Sequence, residues 1–108
     1  MNGACETTVR ANRDLSIFML GTRAEAASAR QRVEEALARN SQQVCLDFSG
    51  VDVTQSFVDE LVGVLVLRYG PKLLERLAFV GCTEDTRAIV SFVIKARARD
   101  FTTLETTA

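Results

Sequence analysis

Two hydrophobic periods alternate along this chain. Short apolar runs bounded by turn residues predict strands, and longer stretches with apolar residues three and four apart predict helices. Thr7 to Arg10 fits a short edge strand, Ala11 to Asp14 a turn, and Leu15 to Leu20 a second strand compatible with a hairpin. Gly21-Thr22 opens a helix, with Thr22 and Glu25 spaced as a capping box. Ala26, Ala29, Val33, Ala36 and Leu37 fall on one side of it, and Asn40-Ser41 ends it. Val44 to Phe48 is the next strand, closed by Ser49-Gly50 and followed by a loop to Gln55. Ser56 then stands where a helix N-cap belongs, with Asp59 three residues on.

The helix from Phe57 to about Tyr69 is apolar on most of its circumference: Phe57, Val58, Leu61, Val62, Val64, Leu65, Val66 and Leu67. A helix so apolar is central or covered by a partner. Gly70-Pro71 stops it, Lys72 to Arg76 fits a further turn, and Leu77 to Gly81 is another strand. Thr83 caps the last helix, with Glu84 and Asp85 in its first turn. Ala88, Ile89, Phe92, Val93 and Ala96 form its apolar stripe, with Lys95, Arg97 and Arg99 expected at its C-terminal end. Residues 1–6 and the tail from Thr102 to Ala108 read as frayed. The predicted order is β-β-α-β-α-β-α. It defines one α/β domain over 1–108, with its core at about 15–97 and a mostly parallel sheet covered by helices. In so short a chain the helices can all lie on one face of the sheet.

Composition narrows the chemistry. With 47% hydrophobic residues in 108, the chain has material for one real core. Thirteen basic against 14 acidic residues leave no electrostatic footprint for nucleic acid or an anionic membrane. The most apolar segment, Leu61 to Leu67, is far short of the ~18 residues of a membrane span, and the N-terminus lacks the pattern of a signal peptide. A cytoplasmic protein is expected. There is no histidine, so the commonest general base and metal ligand are missing. No Gly-rich phosphate loop, nucleophile elbow or metal-spaced cysteine pair occurs, so neither catalysis nor a cofactor is expected. Cys45 and Cys82 fit buried thiols of a reducing compartment.

Polar residues around the second helix are the candidate site. Ser56 at a helix mouth can accept or hold a phosphate, or serve only as a cap, and Thr54 is the second hydroxyl. Asp59 and Glu60, one turn on, would repel a phosphate dianion. Asp47, near the end of a central strand, is either a functional acid or a carboxylate that orders the following loop. Asp47, Asp52, Asp59 and Glu60 together suggest a cation cluster, although nothing in the sequence fixes their geometry. Phe57 and Val58 are either a docking face or plain core.

Three segments carry a family resemblance, from about Leu15 to Ala96: Phe18-Met-Leu-Gly21 before the first helix, Leu46-Asp-Phe-Ser-Gly-Val51, and Gln55-Ser-Phe-Val58. The chain resembles the STAS fold family of anti-sigma factor antagonists and sulfate-transporter domains. In the antagonists the third segment is Asp-Ser-Ser-Gly, whose first serine a cognate kinase phosphorylates. Here only Ser56 of it remains, and Ser56-Phe57-Val58-Asp59-Glu60 looks closer to a STAS-like branch of unknown function. Members of that branch are often encoded beside, or fused to, histidine-kinase-like ATPases. The resemblance implies a non-enzymatic regulatory module that binds such an ATPase, with a phospho-switch at Ser56 and contacts through Asp52, Gln55, Ser56, Phe57, Asp59 and Glu60. The alternatives are a small-ligand or nucleotide sensor and a homodimeric structural domain.

Overall fold

The computed structural model describes residues 7–11, 19–39 and 43–107. Three parallel strands form its main sheet: β1 (Thr7–Arg10), β3 (Val44–Asp47) and β5 (Leu77–Val80), in the order β1-β3-β5. A second pair, β2 (Met19–Leu20) and β4 (Asp52–Val53), is also parallel. The helices are α1 (Arg23–Arg39), α2 (Gln55–Val58), α3 (Val64–Tyr69) and α4 (Glu84–Thr107). A π-helical turn, Asp59–Gly63, joins α2 to α3, and a 3-10 turn, Pro71–Glu75, follows α3.

The turn and most of the second strand of the hairpin expected at the start lie outside the described residues. β1 pairs with β3 and β2 with β4, so the first two strands belong to different sheets. Of the expected strand Leu15 to Leu20, residues 15–18 lie outside the described residues, as do 12–14 of the expected turn and residues 1–6. The loop after Gly50 is shorter than expected because Asp52–Val53 joins β2.

Register puts Val9, Leu46 and Phe79 side by side on one face of the main sheet, and Arg10, Asp47 and Val80 on the other. Val9 and Leu46 are buried, whereas Arg10 and Val80 are exposed. α1 packs on β1 and β3, and the helical run Gln55–Tyr69 is wedged between α1 and α4. That position explains its apolar circumference: Phe57, Val58, Leu61, Val62, Leu65 and Val66 are all fully buried. Each such side chain contributes about 1.5–3 kcal/mol relative to leaving it in water. The helix is central and needs no partner to cover it.

Cap chemistry holds at two helices. Glu25 N–H donates to Thr22 Oγ1 at 3.1 Å, and Thr22 N–H donates back to Glu25 Oε1 at 3.1 Å. Thr83 Oγ1 accepts from Thr86 N–H at 3.1 Å. The tail differs from expectation. α4 continues to Thr107, well past Arg99, so Lys95, Arg97 and Arg99 sit within the helix rather than at its end. Thr102 and Thr103 turn their hydroxyls back to the carbonyls of Ala98 and Arg99, each at 3.1 Å. Phe101 packs so closely over Gly70 (φ +85°) that a Cβ there would lie 2.9 Å from its ring. The stripe of α4 is also rotated: Thr86, Val90 and Val93 are buried, and Phe92 is 58% exposed. Cys45 is disulfide-bonded rather than the expected free thiol, and only Cys82 of the described cysteines is free.

Candidate functional site

The β2–β4 pairing brings two helix starts together. Directly after β2, Gly21 offers its carbonyl to Thr54, whose hydroxyl donates to it at 3.2 Å. The same hydroxyl accepts from Phe57 N–H at 3.1 Å, which makes Thr54 the N-cap of α2. Ser56 is therefore not the cap, and the Ser56–Asp59 capping pair does not form. The extended backbone needed at a cap (φ −95°, ψ 162°) falls at Thr54, and Ser56 is already inside the first turn. Thr54 is committed through its hydroxyl in both directions, whereas Ser56 is exposed.

Ser56 opens on a cleft of about 530 Å³ lined by Arg23 of α1, Gln55, Ser56 and Asp59, and by Phe92 and Arg97 of α4. Asp59 receives both prongs of the Arg97 guanidinium, Nε to Oδ1 at 2.7 Å and Nη2 to Oδ2 at 2.8 Å. Arg23 stands 3.7 Å from Asp59 and 3.1 Å from Glu60. Arg30 holds Glu60 by both its carboxylate, at 2.7 Å, and its backbone carbonyl, at 2.6 Å. The pairing with Arg97, against burial, holds the Asp59 carboxyl below its ordinary value, and Arg30 does the same for Glu60. In return Asp59 raises the already high Arg97. Both acids are thus ionised and already engaged by arginines, and Asp100, which also lines the cleft, pairs with Arg97 at 3.0 Å.

Gly63 makes this arrangement possible. Its Cβ, were there one, would lie 2.6 Å from Asp59 Oδ1 and 3.1 Å from Arg97 Cγ. The π turn carries Asp59, Glu60 and Gly63 together, with the Val64 N–H donating to the Asp59 carbonyl. π turns inside α-helices are frequent at functional sites.

The remaining expected site residues separate. Asp52 and Gln55 are exposed. Phe57 is fully buried, so it belongs to the core and not to a contact surface. Asp47 is a loop-ordering carboxylate: its Oδ1 accepts from Ser49 N–H at 2.8 Å, and Arg10 lies 3.5 Å away. Burial pushes this carboxyl up, but Ser49 and Arg10 outweigh it and hold it below the ordinary value. Asp47, Asp52, Asp59 and Glu60 are not gathered around one point; among the described residues no group of three or more His, Cys, Asp or Glu is placed to hold a metal ion. Sequence reasoning missed Arg23, Phe92 and Arg97 as parts of the site. By pattern alone Arg97 reads as a helix-end cation and Phe92 as part of the core stripe. The available signal was Arg23 itself, a cation in the first turn of a helix.

A parallel β1-β3-β5 sheet with helices, a tight Asp47–Ser49 turn after the central strand and a helix start beyond it define a STAS-like α/β domain. The model of a family described as a STAS-like domain of unknown function (DUF4325) matches residues 25–87, more than half of the chain, and the chain belongs to that family. No curated protein and no solved structure matches it. The matched segment includes Arg30, Ser56, Asp59 and Glu60, but begins after Arg23 and ends before Arg97. Among the described residues no helix is long and apolar enough to cross a membrane.

Proposed function

We propose that this domain is a non-enzymatic regulatory module that binds a histidine-kinase-like ATPase, with Ser56 as the switch. The observation that carries the reading is the setting of Ser56: an exposed hydroxyl in a cleft with Arg23 and Arg97, beside acids that arginines already neutralise. The contact surface is Asp52, Gln55 and Ser56, with the exposed ring of Phe92 added from α4. Aromatic residues at the centre of such patches carry much of the binding energy. A phosphate on Ser56 places a charge in that surface, and desolvating it on association opposes binding.

Phosphosite mapping of the protein isolated from its native host tests the first half. Phosphate on Ser56 is expected, and its absence under all growth conditions removes the switch. Titration of the ATPase with Ser56→Ala and Ser56→Asp tests the second half. Ser56→Ala is expected to bind at least as well as wild type, and Ser56→Asp about tenfold more weakly, a loss of ~1.4 kcal/mol. Equal affinities for all three would remove Ser56 from the mechanism and favour a ligand-sensing domain.

A further inference from the structure

Arg23 stands where a cation is disfavoured. It is the first residue of α1, facing the positive end of the helix dipole. The acid of its own first turn, Glu25, is folded back onto the N–H groups of Gly21 and Thr22. What holds Arg23 is the π turn across the cleft, through Asp59 and Glu60. Arg97 reaches the same turn from α4. Both arginines line the cleft onto which Ser56 opens. Across the whole cluster Arg23, Arg30 and Arg97 face Asp59, Glu60 and Asp100, so charge is balanced while Ser56 carries a hydroxyl.

We propose that Arg23 and Arg97 are the receivers of a phosphate on Ser56, and that the acids of the π turn, Asp59 on Arg97 and Glu60 with Asp59 on Arg23, are the built-in competitors that hold them in place until it arrives. This rests on the reading of Ser56 as a phosphoacceptor. In the modifying step Ser56 Oγ attacks the γ-phosphorus of a nucleoside triphosphate bound by the partner. The Oγ–P bond forms, the bond from that phosphorus to the bridging oxygen breaks, nucleoside diphosphate leaves, and the hydroxyl proton passes to a base of the partner. The product adds a charge of about −1.5 to −2 to a balanced cluster. Ser56 and Asp59 are three residues apart on one helical face, with Cβ atoms about 5–6 Å apart, so a guanidinium seated on Asp59 reaches the phosphate by turning its side chain. A phosphate offers the same two-pronged seat as the carboxylate, with more charge. Arg23 belongs to α1 and Arg97 to α4, so the exchange loosens the tie from each of these helices to the π turn beside Phe92. Modification of one hydroxyl thereby alters the geometry of the contact surface as well as its charge.

The test installs phosphoserine at position 56 during translation and follows the phosphate by 31P NMR and the Arg97 Nε–H by 15N NMR as pH is varied. The second phosphate pKa, ~6 when unperturbed, is expected to fall by about 0.5 unit or more, as for any anion beside cations. Asp59→Asn, which removes the carboxylate that both arginines share while Glu60 still holds Arg23 and Asp100 still holds Arg97, lowers it further, and Arg23→Gln or Arg97→Gln returns it toward ~6. The Arg97 Nε–H is expected to shift in step with the phosphate and to show no such step in Ser56→Ala. If Arg97→Gln fails to fold, the Arg97 resonance of the intact protein still decides. An unshifted phosphate with an Arg97 signal that ignores it overturns the proposal. Because the phosphate is installed without a kinase, that failure is distinct from finding no phosphate on Ser56 in the native host, which would defeat the proposed switch instead.

Discussion

Thr54 and Ser56 are two residues apart, and the backbone between them decides which hydroxyl is structural. Thr54 caps α2 and also donates to Gly21, so Thr54→Ala is expected to cost about 1–2 kcal/mol in urea unfolding. Ser56→Ala, at an exposed position, is expected to stay within about 0.5 kcal/mol of wild type. A large loss for Ser56→Ala with none for Thr54→Ala would reverse the assignment. The sequence exposed the ambiguity without resolving it. Thr54 and Ser56 are both good capping residues, and the choice depends on where β4 ends, which the pairing with β2 determines. The Thr22–Glu25 box was fully legible, because both its partners lie within one turn and no distant strand has a say.

At the scale of elements, the central helix shows both what a period reveals and what it hides. Its apolar residues were readable: six of the eight are fully buried, and Val64 and Leu67 are partly covered. Its π turn was not, because a single widened turn shifts the wheel by less than the pattern resolves. Gly63 is the residue through which the turn can be tested. In an ordinary helix Gly→Ala gains ~0.5–1 kcal/mol. Here the added methyl meets Asp59, Arg97 and Val93 within 3.2 Å, and overpacking of this kind costs ~1–3 kcal/mol. Gly63→Ala is therefore expected to lower stability, and by less when Asp59 is also replaced by alanine, since the closest clash is then gone. Thermal unfolding of the two single variants and the double variant checks this; a more stable Gly63→Ala in the wild-type background would contradict the packing. The far end of α4 is hidden from the sequence for a related reason. Its threonine-rich end has weak helical propensity, and the side-chain hydrogen bonds and Phe101 packing that sustain it are tertiary facts.

For the molecule as a whole, the acid side of the stability curve follows from its carboxylates. Asp59, Glu60 and Asp47 all sit lower in the fold than their ordinary values of 3.8, 4.5 and 3.8. A lowered carboxyl contributes stability that is complete above its unfolded value and is lost as pH falls through its folded value. Unfolding free energy is thus expected to be flat in this respect above about pH 5 and to decline below about 4.5. Asp59→Asn should make that decline shallower, as urea unfolding at a series of pH values would show; an unchanged slope would mean the Asp59–Arg97 pair stabilises nothing. The parallel architecture and the order of the main helices were legible in the alternation of periods. The pairing of β1 and β2 with later strands was not, because partners more than 30 residues away leave no local trace.

The arginine cluster also has a temporal side. It joins positions separated by 37 residues, Arg23 to Glu60, and by 38, Asp59 to Arg97. Contacts that close such long loops carry their entropic cost before they return any energy. They are expected to be absent at the folding barrier and to form on the way down from it. Removing them, as in Arg97→Gln, should then leave the refolding rate nearly untouched and raise the unfolding rate. The two arms of a denaturant chevron measure this directly, and a slowed refolding arm would place the cluster in the nucleus instead. A residue that governs escape from the native state sets how long each molecule persists, so the same side chains that await a phosphate would also set the clock on which the unmodified domain opens.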